Sequence, residues 1–574
     1  MTYDLVIRNG TLVDGTGSPG RQADVAVNGD RIVAIGDLAG KGREEIDATG
    51  LVVAPGFVDV HTHYDAQVFW DPRLTPSCFH GVTSVIAGNC GFSIAPLNAE
   101  AAPYLTRMLA KVEGMPVAAL RQGVPWNWSS FADYLARLEG RVGLNIGVMA
   151  GHSAIRRVVM GERAVGSEAT PAELAQMKDV LAESLAAGAL GFSTTLAFTH
   201  CDAEGQPVPS RHASRDEVIA LSGVCREFEG TSLEVIPNVG RFGEPEYRLM
   251  TDMSLAAQRA VNWNALVPSD TPGQTVSQLE ASDYAARHGA EVVALTVPQP
   301  MSMRINLFTG FIFEALGGFA QLFRMPVDER IEWLRHPENR AELDRRGTSS
   351  ESGIFQFVAK WDQLVISTSG DQSLIGRRVG DIARERGVTP IDAMIDIAIA
   401  DGLKTSFLVE GSGADDATWQ VRGQLWQDPR TVIGASDAGA HLDMIDQFAF
   451  STAVLSEGVR VRKLIGLEQA VHQLTQVPAE LVGLRERGVV REGWFADLVV
   501  FDPATVGIGP LEMRHDLPAG EMRLYADAIG VPHVIVNGRR IVVEGEHTGD
   551  LAGKVLRSGK DTATRPIPMA MAAE

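Results

Sequence analysis

Between residues 55 and 440 the chain repeats one pattern, a short apolar run followed by an amphipathic stretch of helical periodicity. The apolar runs are GFVDVHTH, VTSVIAGN, LNIGVMAG, ALGFSTTL, SLEVIPNV, VNWNALVP, EVVALTVP and TVIGASDA. Runs this short and this continuously apolar suit strands covered on both faces, as in a parallel sheet wrapped by helices. Eight of them predict an α/β fold, a (β/α)8 TIM-like barrel, in which chemistry gathers at the C-terminal ends of the strands.

The two ends of the chain read differently. YDLVIRNG and ADVAVNGDRIVAIGD alternate apolar and polar positions between Asn-Gly and Gly-Asp pairs, and WFADLVVFDP and PHVIVNGRRIVVEGE repeat that pattern near the C-terminus. Period-two alternation between tight turns is the mark of hairpins. Residues 1–54 and 486–574 are therefore expected to pair into one small β-sandwich domain, leaving 55–485 as the barrel. Residues 301–348 interrupt the barrel rhythm with aromatics, Met and charge, and predict an inserted helical excursion or lid.

At 574 residues the chain has ample apolar surface for a large domain with a smaller companion. Its four cysteines, Cys78, Cys90, Cys201 and Cys225, show no CxxC pairing and suit a reducing compartment. A formal net charge of -21 disfavours nucleic acid and anionic membrane surfaces as partners. No run approaches the roughly 18 apolar residues of a membrane span, and MTYDLVIRNG does not read as an export signal. The expectation is a cytoplasmic protein acting on a small molecule, with neither nucleic acid nor membrane as partner. A homo-oligomer is compatible with this composition.

The strongest local signal is the strand ending in His61-Thr62-His63. Residues at i and i+2 face the same side of a strand, so two imidazoles can hold one metal ion at the strand's C-terminal end. Asp437 ends the eighth run, where one carboxylate oxygen can bind the metal while the carboxylate also carries a proton; helix capping is the simpler role for an isolated Asp there. Cys90, between Asn89 and Gly91 after the second run, is either a thiolate ligand or a small buried hydrophobe. His152 ends the third run and can orient substrate or serve structure. His200, in the loop after the fourth, can contact substrate, and His441, four residues past Asp437, can brace it.

These motifs resemble the amidohydrolases, and within them the N-acyl-D-amino-acid deacylases, including those for acyl-D-aspartate and acyl-D-glutamate. VAPGFVDVHTHYDAQVFWDP, GVTSVIAGNCGFSIAPL, MAGHSAIRRVVMG, GALGFSTTL, GASDAGAHL and REGWFADLVVFDP carry the resemblance, in that order, over almost the whole chain. It implies hydrolysis of an amide C–N bond by water activated at zinc, with His61, His63, Cys90 and Asp437 as ligands and Asp437 also as general base and acid. Family members commonly supply two further histidines at the ends of strands five and six, yet SLEVIPNVGR and VNWNALVPSD have none, and no lysine ends strand four. One zinc ion is therefore expected, and the ligands of a second are missing. Glu234 or Asn238 can offer an oxygen or line the pocket. Arg241 is the candidate fork for a substrate carboxylate, and Met301 to Phe323 for an apolar wall. A cyclic amide or imide hydrolase, a deaminase, and a barrel that binds without turnover are the competing readings.

Overall fold

The computed structural model describes residues 2–268, 273–310 and 312–567. Eight short strands form its middle: β1 (Phe57–Asp59), β2 (Val82–Ala87), β3 (Asn145–Val148), β4 (Gly191–Thr195), β5 (Ser232–Ile236), β6 (Val261–Leu266), β7 (Val292–Thr296) and β8 (Thr431–Ile433). A two-residue extension of β3, Ala150–Gly151, pairs with β4. Every neighbouring pair from β1 to β8 is parallel. A parallel bridge from Thr62 to Ala438 then sets the chain leaving β8 beside the chain leaving β1. Side chains of β2, β4, β5 and β7 are buried at every position, which explains why these runs lack the apolar-polar alternation of a half-exposed strand, and the few polar residues among them, such as Thr194 and Glu234, are buried too.

Helices fill the connections. Pro171–Ala186, between β3 and β4, starts where the sequence offers a reciprocal cap: the Thr170 hydroxyl accepts from the Glu173 N–H, Glu173 accepts from the Thr170 N–H, and proline takes the first helical position.

Both ends of the chain enter one seven-stranded sheet, in which Leu498–Phe501 runs antiparallel to Val52–Pro55. A four-stranded sheet of N-terminal strands lies against it, and Leu5, Ile7, Val25 and Ile32 of that sheet share a core with Leu12, Val53, Leu498 and Val500 of the larger one. Asp497 fastens this unit to β3. Its carboxylate accepts from Arg487, from the Asn537 N–H at 2.7 Å and from Asn145 Nδ2 at 3.0 Å, and the Arg487 and Asp497 side chains are only 2% and 4% exposed. Asp497→Ala leaves the guanidinium buried without its acid. The expected cost is about 3 kcal/mol of unfolding free energy, read as a fall in the denaturant midpoint; an unchanged midpoint would assign the pair no structural weight.

Between β7 and β8 the chain also forms a separate small sheet with its own core. Strands Met301–Ile305, Ser406–Ser412 and Val365–Thr368 form an antiparallel sheet in that spatial order. Phe313, Phe319, Trp361, Ile366, Ile395 and Phe407 give the segment its own apolar core. The helices after 348 bury their apolar faces against that core. Their amphipathic pattern is the same as that of helices packed on the central strands, so sequence periodicity did not separate them.

Candidate metal centre

The strands bring His61, His63 and Cys90 together: one donor atom from each lies within 4.8 Å of the other two. Cys90 Sγ is 3.3 Å from His61 Nε2 and 3.8 Å from His63 Nε2. Asp437 Oδ1 approaches the same imidazole nitrogens at 3.1 and 3.7 Å. Ligands about 2.0–2.3 Å from a tetrahedral zinc ion stand roughly 3.3–3.7 Å apart, so the spacing suits a single ion. Nitrogen, sulfur and one carboxylate oxygen are also a donor set that favours zinc over magnesium or calcium.

Local backbone geometry aims these groups. Cys90 and Asp437 have φ of 57° and 51°, a left-handed conformation rare outside glycine, and His441 shares it at 48°. Such strain costs on the order of 1–3 kcal/mol per residue and persists where surrounding structure enforces it. Gly88 and Gly91, with φ of 78° and 75°, let the turn around Cys90 close, and its N–H is held by Glu234 Oε2 at 2.8 Å. Ser436 donates to Asp59 at 2.7 Å, tying the end of β8 to β1.

Carboxylates crowd the donors. Glu113 Oε1 is 3.4 Å from His63 Nδ1, and Glu234 Oε1 faces His61 Nδ1 at 3.9 Å, with neither of those latter two atoms hydrogen-bonded. Burial pushes Glu234 up to about 8 and Glu113 up to about 7. Burial opposes charge on His63 too, but the charges of Glu113 and Asp437 prevail and raise it to about 9. Burial and then the charges of Glu234 and Glu113 drive the Cys90 thiol well above its ordinary range. Asp437, despite burial, is held well below the usual carboxylate range by its bonds to His61 and His63. Unmatched acids, an unmatched imidazole nitrogen and a thiol in one buried cluster fit a divalent cation, which would neutralise the acids and hold the thiolate.

The other residues singled out from the sequence divide. His200 bonds Thr195 Oγ1 through Nδ1 at 2.9 Å and packs against Phe92, two residues past Cys90. Burial, with His441 and His63 adding to it, lowers His200 to about 3. His441 lies in the same field and is lowered by burial to about 4. His152, read either as orienting substrate or as structural, has both ring nitrogens engaged, Nδ1 with Thr194 at 2.8 Å and Nε2 with Glu217 at 2.9 Å, and the ring is fully buried. The Asn238 amide donates to Glu246 at 3.2 Å and its oxygen accepts the Val239 N–H at 2.9 Å, just past β5. Arg241 is exposed and lies over Gly273.

Two groups escaped sequence reading. Glu113 follows the helix Ala101–Val112 and reaches His63 only through tertiary packing. Asn264, within β6, places Nδ2 3.2 Å from His61 Nε2, and a single asparagine in an apolar run has no distinctive sequence signature.

The model of the amidohydrolase family matches residues 44–542, and the chain belongs to that family. It is a metal-dependent hydrolase acting on C–N bonds. Two relatives from Alcaligenes xylosoxydans xylosoxydans are similar over nearly their whole length. A D-aminoacylase is 31% identical over 96% of this chain and 97% of its own, and an N-acyl-D-aspartate deacylase is 29% identical over 97% and 95%. Among solved structures, the N-acyl-D-glutamate deacylase from Bordetella bronchiseptica, complexed with zinc and a phosphonate mimic of the tetrahedral intermediate, superposes with a TM-score of 0.66. It is 26% identical, and the match covers 97% of this chain and 100% of that one.

Proposed function

We propose that this protein hydrolyses N-acyl-D-amino acids, with one zinc ion held by His61, His63, Cys90 and Asp437. The observation that carries the reading is the convergence of two imidazoles, a thiol and a carboxylate at the C-terminal ends of β1, β2 and β8. The parallel strand order and the Thr62–Ala438 bridge support a (β/α)8 barrel. The shared core of the outer sheets supports a β-sandwich built from residues 1–54 and 486–574. Residues 55–485 would then form the barrel unit, interrupted by the insertion.

Bound zinc supplies Lewis acidity, lowering the pKa of water and polarising the substrate carbonyl. Everything else falls to the chain. Asp437 is 20% exposed at its side chain, whereas His61 and His63 are 0% and 3% exposed, so water and substrate reach the centre on the Asp437 side. Its carboxylate is ionised and can accept the proton released when water attacks the amide carbon, then return it to the departing nitrogen. Glu113 through His63, and Glu234 through the Cys90 N–H, keep the donors oriented. Glu234 and Asn264 stand in strands β5 and β6, whose ends lack the histidines a second ion would use.

Protein purified without added metal should carry about one zinc per chain. Hydrolysis of N-acetyl-D-amino acids should cease on chelation and return with zinc. Failure of zinc-loaded protein to cleave any acyl-D-amino acid would overturn the substrate assignment, and two ions per chain would overturn the mononuclear one.

A further inference from the structure

Two of the segments that supply metal donors meet a distant part of the chain. Leu498–Phe501 and His533–Val536 are neighbours in the seven-stranded terminal sheet, and between them the chain leaves that sheet to form a hairpin of Glu512–Arg514 against Arg523–Tyr525. The hairpin reaches the loop that carries Asp437 out of β8, where the Leu524 N–H donates to the Leu442 carbonyl at 2.6 Å. That loop is tightly held. The Ala440 N–H donates to the Asp437 carbonyl at 2.9 Å, the His441 N–H to the Glu113 carbonyl at 2.5 Å, and the His63 N–H to the Ala438 carbonyl at 2.8 Å. A Cβ added at Gly439 would stand 2.8 Å from the His63 carbonyl group, so the loop lies directly on the His63 backbone. A displacement at Leu442 therefore reaches both Asp437 and His63.

Arg523, the residue before Leu524, fastens the hairpin to the segment leaving β1. It is buried, and its guanidinium is fully occupied on two sides. Nη1 donates to the Thr75 carbonyl at 2.9 Å and Nη2 to Thr75 Oγ1 at 2.7 Å, while Nε and Nη2 reach the two oxygens of Asp516 at 3.0 and 2.8 Å. Gln67 donates to the same Thr75 carbonyl at 2.8 Å and to Asp71 at 3.1 Å, and Asp71 also accepts from Thr75 Oγ1 at 2.6 Å. Gln67 ends the short helix Tyr64–Gln67, which His63 opens. A guanidinium presents its donors in one rigid plane, so Arg523 fixes how far the hairpin stands from the turn that follows His63.

We propose that Arg523 is a positioning residue for the metal centre: it clamps the hairpin between the segment after His63 and the loop after Asp437, and thereby sets the separation of the His63 imidazole and the Asp437 carboxylate. This rests on the metal-centre reading above. The terminal sheet unit then takes part in the chemistry by holding the donors in register, while the donor atoms themselves come from the central unit.

Zinc affinity by chelator competition, read beside the visible spectrum of the cobalt-loaded protein, tests the clamp; the d–d bands of cobalt(II) report the arrangement of its ligands. Partners outside the ligand set carry about 10–100-fold of metal affinity, so Arg523→Met should weaken zinc binding by about 10-fold and alter the cobalt bands. Arg523→Lys keeps the charge but loses the planar fork, and should fall between Arg523→Met and the parent. Thr75→Val and Asp516→Asn change the two ends of the clamp more mildly and should move both readouts the same way; they decide the matter if near-ultraviolet circular dichroism shows Arg523→Met unfolded. Variants that melt at a lower temperature yet keep the parent zinc constant and cobalt bands would leave Arg523 a stabilising residue alone and overturn the proposal, with the metal centre intact. A parent protein that takes up neither ion overturns the metal centre, and the clamp with it.

Discussion

Asp437→Asn should lower kcat by about 10³–10⁴-fold while the protein stays folded. Asparagine has nearly the same shape and tolerates a left-handed backbone as aspartate does, so the φ of 51° adds no new strain. What disappears is the negative charge and the ability to take a proton. A positioned base contributes about 10²–10⁴-fold, and here the same oxygen also faces two imidazole nitrogens at 3.1 and 3.7 Å, so the variant weakens the metal donor set as well. The measurement that distinguishes these effects is turnover per bound zinc, with metal determined on the same sample and folding followed by thermal melting. Normal turnover per zinc, with only occupancy reduced, would leave Asp437 as a ligand and remove it as the proton carrier.

Much of the centre was legible because strand geometry makes it so. Two histidines at i and i+2 at the end of an apolar run must share a face, and a run that ends in Ser-Asp-Ala-Gly must deliver its carboxylate near a strand end. His61, His63 and Asp437 meet for that reason. Cys90 was legible from its strand-end turn and its neighbouring glycine, although sequence left its two roles open. His152 carries a weaker signal. It occupies an equivalent strand-end position, but its partner Glu217 sits 65 residues further on, and nothing near His152 announces that both nitrogens will be engaged. Glu113 is invisible for the same reason, since a carboxylate just past a helix has no periodic signature. The extent of the insertion was illegible for a different one: a helix shows which face it buries, but not which core receives it.

Cys90→Ser should weaken zinc binding by about 10²–10³-fold and release the metal to a chelator that leaves the parent protein loaded. Four ligands share roughly 10–16 kcal/mol of zinc affinity in structural sites, so loss of one thiolate on the order of 3–4 kcal/mol is expected. The substitution is well controlled. Serine keeps the small size of a side chain that is 3% exposed, and the N–H that Glu234 holds at 2.8 Å belongs to the backbone, so the turn should survive. It bears the same left-handed strain as cysteine. Only the donor changes, from a thiol that a cation can deprotonate to a hydroxyl that stays protonated near neutral pH. Burial and the carboxylates of Glu234 and Glu113 disfavour a bare thiolate here, which makes the sulfur's charge dependent on a cation. Competition with a chelator of known zinc affinity gives the constant directly. An unaltered constant would reduce Cys90 to a packed small hydrophobe and leave the ion to His61, His63 and Asp437; a loss of the expected size would make the turn after β2 part of the metal site and explain why its strained geometry is maintained.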